Sequence, residues 1–522
     1  MWFRLRSSTA GQRRTILTRH VIRVVAGLCT PALLVGQSRI PADHATSFLD
    51  RTRSALIDCE NDKPGTDQWR LRSAARGGEI EGYAYSPTDR SPGSVNLGGT
   101  LDIRVNTVYP RYRVRLFRMG YYDGRYATEI ALPESLQEGR RQVMPQPDPA
   151  NFNVIVPRWE VSFSLRVPDD PAYFPSGLYL FQLTGLDATG NEQGQRFVPF
   201  IVRDDARQAA VLVKLGFSTD QAYNGWHDAA GGLGQSIYPH TSKDGRKALK
   251  VSLLRPHDFG GTASLDHLIH MVGFLERHGL DVTYTTGADI DARGFLIPSR
   301  NRAVLFVGHD EYWSKNERDY IDAARGSGVS LIFWGANQCY RQVRYEEYLG
   351  MPYAVMACFR ESWAQDPVAR ANPRLATTEF RSAQVDRPEW HMIGTYFHPS
   401  NQVGSSVDMR IESVADVVMQ GTDFRVGDVV PKIVGYEYNT IPMPYQLAYA
   451  GLTNLTVLAG ADFGTARPPM RMTIYRVSPH NNAVFSASTI DSVKLEHPGM
   501  QRLLLNVLAE ASQSSYSWKT YR

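Results

Sequence analysis

The residues of this chain best able to do chemistry gather in three short stretches. Gly308-His309-Asp310-Glu311-Tyr312-Trp313 sets an imidazole beside two carboxylates, and Gly335-Ala336-Asn337 adds an amide. A third stretch, Ser218-Thr219-Asp220-Gln221-Ala222-Tyr223-Asn224, continues past a glycine-rich piece to Ser236-Ile237-Tyr238 and brings two phenols. Phenol, carboxylate and imidazole are hard or borderline donors. Phenolate with carboxylate suits a hard trivalent ion such as ferric iron better than it suits the soft metals that thiolates select. A plainer reading stands beside this one. Asp310 and Glu311 could simply be acids at a helix start, favoured there by the dipole, and a loop tyrosine is commonly a half-buried aromatic.

Stepping outward, residues 303–307 form a fully apolar run of strand length, which suits a strand covered on both faces. Ser314 followed by Glu317 is a capping box and predicts a helix through Tyr320, Ile321 and Ala324, ending at Gly326 or Gly328. Residues 329–334 read as a second buried strand. Both polar stretches therefore sit at carboxyl ends of strands, the edge where open parallel sheets bind ligands. Residues 209–217 read as a further buried strand, so the loop expected after it, with Tyr223, reaches the same edge. Leu265, Leu268, Ile269, Val272 and Leu275 make a helix stripe closed by Gly279, and residues 281–286 make another strand. Strands alternating with helices predict a doubly wound parallel sheet. Beyond Tyr345 strand-like pieces at 409–412, 434–438, 455–459, 472–477 and 483–487 precede a helix over 498–511. They either extend the same sheet or form an excursion over its active edge.

From Trp69 to Val202 the pattern is β, with strict alternation over residues 101–105 and 112–116 and turn residues between strands. This predicts a β-sandwich of immunoglobulin size without chemistry of its own, with Pro199 on an edge strand or at a bulge. At 522 residues the chain should hold two or three domains. Its 43% apolar and 21% charged content fits a soluble globular protein. A net charge of +4 gives no argument for nucleic acid, and no apolar run is long enough to span a membrane. The four cysteines show no metal spacing. A Cys339–Cys358 bridge and a pair of buried thiols are both open. Arg4, Arg6, Arg13 and Arg14 precede an apolar run over 24–35, and Arg13-Arg14-Thr15-Ile16-Leu17 resembles a twin-arginine export signal. The expected division is a leader over 1–45, a β-sandwich over 46–205 and an α/β domain over 206–522. A functional leader implies periplasmic or extracellular export; a disordered basic tail is the alternative, in a cytoplasmic protein.

Further matching pieces are Tyr121-Tyr122-Asp123-Gly124, Arg277-His278-Gly279-Leu280-Asp281-Val282-Thr283-Tyr284 and Gly435-Tyr436-Glu437-Tyr438. With the three stretches above, they make the chain resemble the large (beta) subunit of N,N-dimethylformamidase and its relatives, from about Glu60 to the end. The resemblance implies an immunoglobulin-like sandwich followed by a Rossmann-like α/β domain similar to class I glutamine amidotransferases, without their cysteine. It implies a mononuclear ferric iron held by Tyr223, Tyr238 and Glu311. His309 and Asn337 would stand beside the metal, Glu437 would be the catalytic base, and Phe485 would form an aromatic wall. The implied activity is hydrolysis of a small linear amide, with a small partner subunit or a homo-oligomer. The chain departs from the large members in having no room at the short 203–207 linker for their inserted lectin-like domain.

Other readings compete. One is a secreted, non-catalytic binding protein with a degenerate α/β domain. Another is a hydrolase using Cys339 as nucleophile. His267 and His270, three apart on one predicted helix face, raise a zinc pair, although solvated helix histidines are commoner.

Overall fold

The computed structural model describes residues 53–76, 78–226, 235–242, 245–257 and 265–513, with the backbone of Val21–Ile22. The expected leader otherwise lies outside the described residues, as does the glycine-rich piece after Trp226.

Two β-layers come first. One has the order Val21–Ile22, Phe163–Arg166, Thr100–Thr107, Ile80–Ser86, Ser91–Pro92. The other has Ser94–Asn96, Glu192–Arg203, Gly177–Leu186, Arg111–Met119, Ala127–Ile130. Alternation does what the pleat requires. Leu101, Ile103 and Val105 turn inward from one layer and Tyr112, Val114 and Leu116 from the other, meeting Phe181 and Val198 in one core. Pro199 pairs with Leu180 on one side. On its other side the short Ser94–Asn96 strand reaches only residues 201–203, so the missing N–H costs no ladder bond.

The second part is built on a nine-stranded sheet. Its order is Val282–Thr286, Ala209–Leu215, Asn301–Val307, Ser330–Trp334, Asn482–Ser486, Met470–Val477, Thr456–Ala461, Val407–Ile411, Val429–Val434. The first five strands run parallel and the remaining pairings are antiparallel. The strands are therefore parallel, as expected, in one half of the sheet only. Helices Leu265–Arg277, Lys315–Gly326 and Pro498–Ser512 accompany the parallel half. The later pieces do extend this sheet, but by hairpins, whose short connections can only join antiparallel neighbours. The piece expected over 434–438 is two strands, broken at Gly435 and Tyr436. A four-stranded sheet, Lys250–Ser252, Met351–Ala357, Arg341–Tyr348, Tyr312–Ser314, and a pair, Tyr396–Gln402 with Glu437–Thr440, stand off the main sheet.

Numbered by chain order, the parallel half runs 2-1-3-4-5. The order reverses between Ala209–Leu215 and Asn301–Val307, and a crevice opens outside the carboxyl ends at such a switch. The Ser314–Glu317 capping box forms as expected, and Gly279 closes its helix at φ +64. A buried ion pair, Arg118 Nη1 to Glu276 Oε2 at 2.8 Å, ties the β-layers to the Leu265–Arg277 helix. Cys339 and Cys358 are both free thiols.

Candidate functional site

The segment expected to be a loop after Ala209–Leu215 is instead a short helix, Phe217–Tyr223, with Tyr223 at its end. Arg255 clamps it. The Arg255 guanidinium donates to Gln221 O at 2.7 Å, Gln221 Oε1 at 3.0 Å and Gln235 O at 2.6 Å. Ser236 Oγ and Ile237 N both donate to Ala222 O. These bonds hold the Tyr223 and Tyr238 segments together across the glycine-rich piece. On the neighbouring strand end, Gly308 turns at φ +67, and a Cβ on Gly335 would lie 2.1 Å from Gly308 O. Glycine is needed at both places to bring the His309 and Asn337 segments this close. Asn337 itself adopts φ +52.

Tyr223, Tyr238 and Glu311 converge. Tyr223 Oη donates to Glu311 Oε2 at 2.8 Å and lies 2.9 Å from Tyr238 Oη, and Tyr238 Oη donates to Glu311 Oε1 at 2.9 Å. Their rings stack with centroids 4.1 Å apart. A third phenol, unassigned by sequence reasoning, joins them: Tyr312 Oη donates to Tyr238 Oη at 2.7 Å. Burial, with Glu311 beside them, pushes the Tyr223, Tyr238 and Tyr312 phenols above their ordinary range. Burial would raise the Glu311 carboxyl as well, but hydrogen bonding and charge from His309, then Arg341, hold it below the usual value.

His309, Asn337 and Glu437 form a second group in contact with the first. His309 Nε2 lies 3.3 Å from both Glu311 Oε2 and Glu437 Oε2. Asn337 Nδ2 donates to Glu437 Oε2 at 3.0 Å and lies 3.1 Å from His309 Nε2. Gln402 Nε2 donates to Glu437 Oε1 at 3.1 Å. Burial works against an imidazolium at His309, yet the Glu437 and Glu311 carboxylates outweigh it and raise the ring's pKa. Burial raises the Glu437 carboxyl. All six predicted site residues are thus brought together. Phe485 is not among them; its ring stacks on Trp334 in the sheet core.

Asp310, between His309 and Glu311, turns away from the site. It takes Lys214 Nζ at 2.7 Å, and Lys214 also pairs with Glu317. The signal was legible, because Lys214 is a charge inside an otherwise apolar strand and such a charge needs buried partners. Arg341 and Arg360 also escaped sequence reasoning. Arg341 Nε lies 3.3 Å from Glu311 Oε1, and the Arg360 guanidinium lies over the Tyr238 ring at 4.6 Å.

The cysteine route fails here. Cys339 is buried, its thiol pushed up to about 12 by burial, and it accepts from Arg318 Nη1 at 3.2 Å. Among the described residues no group of three or more His, Cys, Asp or Glu is set to hold a metal. Among those residues His267 and His270 belong to no such group, and His270 packs edge-on against Tyr126. The Tyr223–Tyr238–Glu311 triangle is of another kind, since only one of its donors is a carboxylate.

A family model described as "N,N-dimethylformamidase beta subunit-like, C-terminal" matches residues 113–496, nearly three quarters of the chain. No curated protein matches the chain.

Proposed function

Because this chain belongs to the N,N-dimethylformamidase beta subunit-like family, we propose that it is a metal-dependent hydrolase of a small amide. The family's name supports amide hydrolysis; the iron, the substrate and the residue roles are our reading. The observation that carries it is the oxygen triangle of Tyr223, Tyr238 and Glu311, standing against the His309–Asn337–Glu437 group.

The donor set fits a metal. Through Glu311 Oε2 the three donor oxygens lie 2.8, 2.9 and 3.1 Å apart, close enough for one small ion to touch all three. Two buried phenols would have to ionise to serve as ligands, and free tyrosine has a pKa of about 10. That demand selects a strong, hard Lewis acid, and ferric iron meets it. When bound, such an ion supplies Lewis acidity toward a carbonyl oxygen or a water.

The chain's own residues supply the proton handling. Glu437 is the base: its carboxylate takes the proton of the attacking water and returns it to the leaving nitrogen. Asn337 Nδ2 and Gln402 Nε2 fix one oxygen each of that carboxylate. Because Asn337 Nδ2 is committed to Glu437, Asn337 orients the base; its buried Oδ1, which has no hydrogen-bond partner among the described residues, is an acceptor left for water or an amide N–H. One proton on His309 Nε2 screens the Glu311 and Glu437 carboxylates from each other. On this reading residues 46–205 are a sandwich that carries no catalytic group and 206–522 the catalytic unit. Among the described residues no helix is long and apolar enough to cross a membrane. A partner subunit is proposed from the family's description as a beta subunit. The test is amine release from a panel of small amides by the iron-loaded protein and its Tyr238→Phe variant. Turnover by the first and loss in the second is expected. Hydrolysis that survives Tyr238→Phe and chelation would end this reading.

A further inference from the structure

Glu311 divides the site. Its Oε2 faces Tyr223 and the His309–Glu437 group, while its Oε1 faces Tyr238 and Arg341, and Arg360 lies over the Tyr238 ring; the proposed mechanism uses neither arginine. Arg341 is 5% exposed, yet among the described residues its guanidinium makes no hydrogen bond. Its Nε is near Glu311 Oε1 but misaligned for a hydrogen bond. Arg360 spends Nη1 on Ile237 O at 3.2 Å, lies over Tyr238, and keeps a buried Nε without a hydrogen-bond partner among the described residues. Both point to one oxygen: Glu361 Oε1 is 3.9 Å from Arg341 Nη2 and 3.8 Å from Arg360 Nε. Lys247 Nζ approaches the same carboxylate at 3.7 Å. These are beyond hydrogen-bond length, and the Glu361 side chain is 65% exposed. Arg341 has the Glu311 carboxylate on one side, but on the other the two guanidinium groups converge on one place with N–H donors unused among the described residues, an arrangement that a well-placed anion would satisfy. Glu361 occupies that place only loosely, from solvent.

We infer that the Arg341–Arg360 pair is a carboxylate subsite, and that the preferred substrate is a small amide carrying a carboxylate a few bonds from the amide group. This rests on the amide-hydrolase reading for its substrate and on the arginine geometry alone for the anion. The amide would lie on the Glu311 Oε2 side, under Glu437. The carboxylate would reach past Tyr238 to the arginines, whose planar forks suit it, and displace the Glu361 side chain.

Two measurements test this. In the first, metal-free protein is titrated with succinate by calorimetry, so catalysis plays no part. Succinate should bind, about 10- to 100-fold more weakly in Arg360→Gln, as expected for losing a charged hydrogen bond, and more tightly in Glu361→Gln, where the competing carboxylate is gone. A merely structural role for Glu361 would not tighten binding. No succinate binding, or equal binding in all three proteins, overturns the subsite. In the second, iron-loaded protein is given succinamate and its neutral counterpart succinamide. The kcat/KM ratio should favour succinamate and fall about tenfold or more in Arg360→Gln. An unchanged ratio overturns the substrate assignment. Succinate binding with hydrolysis of neither amide would leave the subsite standing and refute the amidase reading and the substrate built on it.

Discussion

Glu437→Gln separates the proposed base from the proposed metal donors. The wild-type carboxylate accepts on both oxygens, from Gln402 Nε2 at 3.1 Å and Asn337 Nδ2 at 3.0 Å. A glutamine offers one acceptor and one N–H2, so one of the two contacts becomes donor against donor. Asn337 is buried and also contacts His309, whereas Gln402 is exposed and can turn to water. The oxygen should therefore face Asn337, and the cost should be about 1 kcal/mol of stability, below the 1.5–3 kcal/mol of a charged hydrogen bond lost outright. The variant should fold and, since Glu437 is not a donor of the triangle, keep its metal. Loss of general acid–base catalysis should lower kcat by about 10²–10⁴-fold. The assay is amine release at saturating amide, run beside metal analysis and urea unfolding. Full kcat with full metal would refute Glu437 as base; loss of the metal would move Glu437 into the donor set.

Two further expectations follow from buried charges. Lys214→Met strands Asp310 and Glu317 together beneath the site and should cost about 3–5 kcal/mol in urea unfolding; adding Glu317→Gln should recover part of that loss, and no recovery would contradict the pairing. Asp220, with Oδ2 buried and unpartnered among the described residues, has its carboxyl raised to about 8 by burial. The unfolded chain ionises this group above about pH 4 while the folded protein stays protonated up to about pH 8. Its contribution to stability therefore falls across that window and is flat above it. Metal-free Asp220→Asn should unfold with a shallower pH dependence between 4 and 8 and be more stable at pH 8 by on the order of 1–3 kcal/mol; an unchanged pH slope would refute the buried, protonated carboxyl.

Several elements were legible because local chemistry and tertiary need agree there. The Ser314–Glu317 box starts its helix, the apolar runs around 303–307 and 329–334 are neighbouring parallel strands, and Gly279 closes a helix. The Phe217–Tyr223 helix was missed because seven residues rich in Ser, Thr, Asp and Gln favour turns and caps locally. Contacts distant in sequence hold it: Arg255 on Gln221, and Thr219 Oγ1 accepting from Glu311 N at 2.9 Å. The antiparallel half was seen strand by strand, but alternation in Val407–Ile411 and Val429–Val434 says which face is buried and not which strand is the neighbour. The six residues expected at the site are singled out by motifs, and the structure brings them together. Arg341, Arg360 and Tyr312 are not singled out, because nothing in a strand arginine or a third tyrosine marks it until the fold places it beside Glu311 or Tyr238.

The central claim is that Tyr223, Tyr238 and Glu311 hold one ferric ion. Metal analysis with visible absorption on the purified protein and its Tyr223→Phe variant tests it most directly. That substitution removes a donor oxygen and leaves the ring stacked on Tyr238. The account predicts about one iron per chain and a phenolate-to-iron visible band in the wild type, with iron lost or weakened and the band shifted in Tyr223→Phe. A protein expressed in iron-rich medium that holds zinc or no metal, or a Tyr223→Phe variant with the same iron content and the same band, would contradict it.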